Sequence, residues 1–287
     1  MYFGVTMMPL VIALSVLIGV SLGLLGGGGS ILTVPILVYV AGMETKAAIA
    51  MSLLVVAVTS AAGVVSHARA GRVQFRTGAL FGVAGMVGAY AGGRIATFIP
   101  GTWLLVGFGL MMLATGFALL RSRQAEAPAL QKLPVFRVLL DGVVVGLVTG
   151  LVGAGGGFLV VPALVLLGGM PMNVAVGTSL FVIALKSSAG FAGYLHSVEI
   201  DWGLAAGVTA AATVGGFFGS RLVGKISETA LRRGFAAFVL VMAVVLLVKE
   251  LPSELGLHLG ALSAVGLGAA TLALLALAAT HLVRRES

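Results

Sequence analysis

The sequence predicts an all-α polytopic membrane protein, built from two inverted five-element repeats and one extra C-terminal transmembrane helix. Hydrophobic residues fill 60% of the 287 positions and charged residues 9%, with a mean hydropathy of +1.17, whereas soluble domains carry about 25% charged residues. Apolar segments of roughly 18–25 residues, enough to cross about 30 Å of hydrocarbon as a helix, recur along nearly the whole chain. Residues 23–95 also lie over residues 150–222 without a gap, and about a third of the paired positions are identical, which is ample for an internal duplication.

The first repeat, residues 1–121, opens with an apolar run over 9–25. It lacks the basic flank of a signal peptide and reads as a retained span. The run Gly26-Gly27-Gly28-Gly29 stops it, a short helix over 30–40 follows, and three long helices cover 46–67, 75–98 and 103–120. A charged linker with two prolines, residues 122–134, leads into the second repeat, residues 135–250. There the spans are 135–152, a short element 158–167 after Gly153-Ala154-Gly155-Gly156-Gly157, then 174–195, 202–223 and 229–248. Residues 251–287 supply the extra helix, over 257–283, and a cytoplasmic tail. The 43 glycines suit a bundle whose helix backbones approach closely in lipid.

Each repeat returns the chain with its first two elements and then crosses three times, so adjacent repeats must be inverted. Charge supports this. Arg69, Arg72 and Arg76 correspond to a loop in the second repeat that carries Glu199 and Asp201 instead. Placing basic loops in the cytoplasm puts 13 of the 17 Lys and Arg residues inside, with the amino terminus external and the carboxyl terminus cytoplasmic. The formal charge of +8 is therefore spread over short loops without aromatic interleaving, which argues against nucleic acid and for a lipid bilayer as the partner. Cysteine is absent, excluding disulfides and thiol chemistry. The sequence calls for no cofactor and no metal.

The strongest functional candidates are the two glycine breaks with the prolines that follow them: Gly27, Gly28, Gly29, Ser30 and Pro35, matched by Gly155, Gly156, Gly157 and Pro162. The short helices after them reach only about 15–18 Å, so the breaks should lie at membrane depth. Irregular backbone there must be buried in protein or line a wet cavity, and free amides at a helix start attract anions. The plainer reading is a tight turn between packed helices. The third element of each repeat carries a polar and small-residue stripe: Ser52, Thr59, Gly63 and Ser66, matched by Ser179, Lys186, Gly190 and Gly193, with Ser60, Thr178 and Ser187 beside it. An ammonium near the bilayer centre costs about 3 kcal/mol or more unless something answers it. No acid in the sequence stands obviously at that depth, so a substrate anion or loss of the proton would relieve Lys186; the alternative is a lysine that snorkels or rests against hydroxyls and carbonyls. His67 and Asp141, each near a span end, are candidate proton relays, although such groups are usually solvated. Arg94 and Arg221 read as interfacial anchors. The pairs Gly88 with Gly92 and Gly215 with Gly219 have close-crossing spacing, which suits internal packing more than a homo-oligomer face.

With these glycine breaks, the prolines after them, Gly177-Thr178-Ser179-Leu180 and the inverted duplication, the chain resembles the sulfite exporter TauE/SafE family, also called the 4-toluene sulfonate uptake permease family, over residues 8–250. The resemblance implies a multi-pass protein of the bacterial inner membrane that moves sulfite, sulfoacetate, thiosulfate, sulfonates or related organosulfur anions. It also implies that residues 26–30, 153–157 and Thr178-Ser179 shape the substrate path. The extra helix over 257–283 lies beyond the family's usual core. Residues and resemblance together predict a secondary transporter of a small sulfur-containing anion working by alternating access, not an enzyme. The alternatives are a passive anion channel or a non-transporting membrane subunit. Without an ATP-binding motif, coupling should come from a proton gradient, membrane potential or the substrate gradient.

Overall fold

The computed structural model describes residues 3–25, 28–121, 135–153, 159–161, 164, 170, 172–222 and 228–254. Among them there are helices and no strands. We number them α1 (Phe3–Leu25), α2 (Thr33–Tyr39), α3 (Thr45–Arg69), α4 (Phe75–Ala96), α5 (Gly101–Arg121), α6 (Val135–Val152), α7 (Met172–Tyr194), α8 (Trp202–Leu222) and α9 (Glu228–Glu254). A 3₁₀ turn, Gly28–Leu32, leads into α2. Four of these helices are long and apolar enough to cross a membrane: Thr45–Arg69, Phe75–Ala96, Val174–Tyr194 and Trp202–Arg221. The expected spans recur with small shifts. α1 starts at Phe3 and carries Pro9 inside it, rather than starting there, and α9 continues to Glu254. The linker 122–134, the extra helix over 257–283 and most of 158–167 lie outside the described residues.

Local chemistry sets the helix ends. Glu44 caps α3 by accepting from Ala47 N at 3.1 Å, and Asp201 caps α8 by accepting from Leu204 N at 3.0 Å. Gly71 closes α3 with φ +67°, a conformation that costs glycine nothing, and Arg72 N then donates back to His67 O at 2.9 Å.

The chain forms two compact units, Met1–Pro100 with Glu126–Val223 and Gly101–Ala125 with Gly224–Ser287. In the first, α4 packs on α6 and α7, α8 packs on α1 and α3, and α3 packs on α7, so each half of the sequence is completed by the other. The closest approaches are glycine notches. A Cβ at Gly88 would fall on Val143 O and 2.7 Å from Leu147 N, and one at Gly92 on Leu147 O. The same contacts occur one duplication apart: Gly215 faces Val16 O, and Gly219 faces Val20 O. Small residues thus replace hydrophobic burial as the means of close packing in lipid. Leu53 of α3 faces Gly190 of α7 while Gly63 faces Leu180, so these two equivalent helices run antiparallel. Large apolar side chains such as Leu17, Val83, Val87 and Phe218 point outward, as expected of faces that meet hydrocarbon rather than water.

The second unit pairs α5 with α9. Gly109 and Gly116 form hollows that receive Leu247 and Leu240.

Candidate functional site

The α3 stripe divides in the structure. Ser52 is buried and donates to Gly153 O at 2.8 Å, tying α3 to the second glycine break. Gly153 has φ +72° and its own N–H donates to Thr149 O at 3.0 Å. A Cβ there would strike the Ile49 side chain and come within 2.9 Å of Ile49 O. Gly153→Ala is therefore expected to cost about 2 kcal/mol from left-handed strain and overpacking. Thermal melting of the purified variant checks this, and an unchanged melting temperature would contradict it.

Further along α3, Thr59, Gly63, Ser66 and His67 line a cavity of about 100 Å³. Its other walls are Leu22 and Gly23 of α1, Leu180 of α7, and Thr213, Gly216, Phe217 and Ser220 of α8. Gly177 of α7 admits the turn after α3, because a Cβ there would meet Arg72 O and, at 3.1 Å, the His67 Cβ. His67 is only 6% exposed, and its Nδ1 has no hydrogen-bond partner among the described residues. Sequence reasoning missed the α8 wall. Its signal was the spacing of Thr213, Gly216 and Ser220, which lie on one helical face.

Lys186 stands elsewhere. It is 1% exposed on α7, its stem lies over Gly85 of α4, and its Nζ donates to Thr149 Oγ1 of α6 at 3.2 Å. Thr149 Oγ1 in turn donates to Gly146 O at 3.0 Å. Among the described residues no carboxylate pairs with Lys186. Thr149 went unmarked at the sequence level although it directly precedes Gly150 and the second glycine break. One duplication step from Lys186 lies Thr59, so the position that opens onto the cavity in one half is filled by an ammonium-bearing chain in the other.

The remaining candidates scatter. Ser60 and Ser187, equivalent positions in the two halves, are buried with hydroxyls unpartnered among the described residues. Thr178 Oγ1 accepts from Gln74 N at 3.0 Å and so supports the start of α4, while Ser179 Oγ donates to Val176 O at 2.8 Å. Gly28, Gly29 and Ser30 form the 3₁₀ turn, and Pro35 is buried in α2. Asp141 is half-buried on α6 and does not line the cavity. Arg94 and Arg221 are exposed near helix ends, and Arg221 stacks 4.1 Å from the Phe217 ring centroid. Gly27, Gly155, Gly156, Gly157 and Pro162 lie outside the described residues. No cluster of three His, Cys, Asp or Glu residues that could hold a metal occurs among the described residues.

A family model described as "Sulfite exporter TauE/SafE" matches residues 11–246. A "Probable membrane transporter protein" of Xylella fastidiosa (strain 9a5c) is 35% identical over 235 residues, covering 79% of this chain and 90% of the relative. The "Probable membrane transporter protein YunE" of Bacillus subtilis (strain 168) is 26% identical over 263 residues, covering 83% and 94%. MJ0441 of Methanocaldococcus jannaschii, with the same description, is 28% identical over 195 residues, covering 66% and 73%. No solved structure matches the chain significantly.

Proposed function

The chain belongs to the sulfite exporter TauE/SafE family and is a multi-pass membrane transporter, and we propose that it is a secondary carrier of small sulfur-containing anions that works by alternating access. The observation that carries the anion is Lys186, a buried lysine whose Nζ donates to a neutral hydroxyl and pairs with no carboxylate of the described residues. A monovalent or divalent oxyanion supplies the missing charge, and its oxygens suit the donors of a lysine and of backbone amides at a glycine break. Sulfite, sulfoacetate, thiosulfate and sulfonates share that headgroup chemistry.

The antiparallel run of α3 and α7 and the repeated glycine contacts favour two inverted halves. In such a protein the same anion path is approached from either side in turn, first past the Thr59 stripe and then past Lys186. The basic loops support an orientation with the amino terminus outside, and the family resemblance favours a bacterial inner membrane.

The test is counterflow in proteoliposomes with labelled sulfite, thiosulfate, sulfate, sulfoacetate and an aryl sulfonate. A carrier gives saturable counterflow of at least one anion, stimulated by the same anion on the opposite side. Flux that rises without saturation and ignores the opposite side would replace the carrier with a channel.

A further inference from the structure

Four hydroxyls line the cavity between α1, α3, α7 and α8, and all four direct their hydrogen to their own helix. Thr59 donates to Val55 O at 2.7 Å, Ser66 to Gly63 O at 2.9 Å, Thr213 to Thr209 O at 2.7 Å and Ser220 to Phe217 O at 2.9 Å. A carbonyl oxygen can only accept, so each hydroxyl presents lone pairs to the cavity. The polar wall is therefore rich in acceptors, and a bare oxyanion would meet like partial charge on every hydroxyl. His67 is the lining side chain that can reverse this. Its ring is buried, and its Nδ1 has no hydrogen-bond partner among the described residues. Neutral imidazole carries one N–H, whereas imidazolium donates from both nitrogens and adds a full positive charge.

We infer that this cavity takes its oxyanion together with one proton carried on His67, which makes transport proton-coupled. The inference rests on the anion-carrier reading above. The proton passes from water at the open face to an imidazole nitrogen, the protonated ring donates to the anion, and anion and proton leave together on the other side, returning the ring to its neutral form. One proton and one anion move in the same direction in each cycle.

The surroundings leave this titration to His67. α1 and α2 carry no charged side chain. α7 meets this end of α3 through Gly177, with Lys186 more than two turns away and engaged by Thr149. α8 brings Arg221 over Phe217, while Arg69 and Arg72 stand at the end of α3 and in the turn after it.

The experiment uses proteoliposomes of the full chain with entrapped pyranine and sulfite, sulfoacetate or an aryl sulfonate as the added anion. With the native protein, adding a transported anion outside should acidify the lumen, and an inside-alkaline gradient of one pH unit should raise the accumulated anion about tenfold. In His67→Gln and His67→Asn, checked for native-like gel-filtration and melting behaviour, the gradient effect should fall to about one-fold and the substrate-linked pyranine signal to background. Anion transport by the native protein without proton movement would overturn the inference even if neither variant folds, and so would a gradient effect that survives in the folded variants. Saturable counterflow with no proton signal leaves the carrier reading standing, whereas no counterflow of any anion sinks both.

Discussion

Replacing Lys186 with methionine is expected to leave the fold intact and to cut saturable anion counterflow about 10- to 100-fold, the consequence of losing a hydrogen bond to a charged group worth about 1.5–3 kcal/mol. The fold should hold because methionine nearly matches the lysine stem that lies over Gly85. Thr149 also keeps a partner, since its hydroxyl already donates to Gly146 O. Removing an ammonium from a low-dielectric interior also relieves a desolvation cost, so the melting temperature should stay level or rise. Counterflow and thermal melting of the same preparation separate the two roles. A stable variant with native transport would make Lys186 purely structural and leave the anion to the glycine breaks and His67.

Valine at Gly88 should act in the opposite way, removing the fold before function can be asked about. A Cβ at Gly88 falls on Val143 O, with Leu147 N at 2.7 Å, and both are backbone atoms that no rotamer change can move aside. Overpacking usually costs about 1–3 kcal/mol, and separating two whole helices should reach or exceed the top of that range. Gly215→Val meets Val16 O in the equivalent place and should show a similar loss. Gly207→Ala is the control, because nothing lies within 4 Å of its Cβ position; it should be neutral or gain up to about 1 kcal/mol from helix propensity. The readouts are the monodisperse fraction in detergent and the melting temperature. Equal behaviour of Gly88→Val and Gly207→Ala would show that the α4–α6 contact is not limiting.

Much of this fold was legible in the chain because a bilayer leaves few choices. Backbone groups in hydrocarbon must pair within a helix, so apolar length locates the helices, and α3 through α8 fall where hydropathy put them. The glycine pairs at 88 and 92, and at 215 and 219, were read correctly as packing faces. The candidate site was legible only in part. Thr59, Gly63, Ser66 and His67 do share one cavity, but Thr213, Ser220 and Phe217, which complete it, come from a helix that begins more than 130 residues later. Lys186, matched to Thr59 of that stripe by the duplication, lies instead against Thr149 and Gly85. Periodicity along a helix says which residues share a face and nothing about which helix that face meets.

The sequence by itself therefore determined the membrane class, the helix positions and the family, because each depends on composition, length or motif along one chain. Tertiary structure alone decided that α4 joins α6 and α7 while α8 joins α1 and α3, that a histidine whose Nδ1 has no partner among the described residues shares a cavity with four hydroxyls, and that the buried lysine rests on a threonine. Those outcomes turn on which glycine notch admits which backbone at near-contact distance, a three-dimensional fit between segments that are remote in the chain.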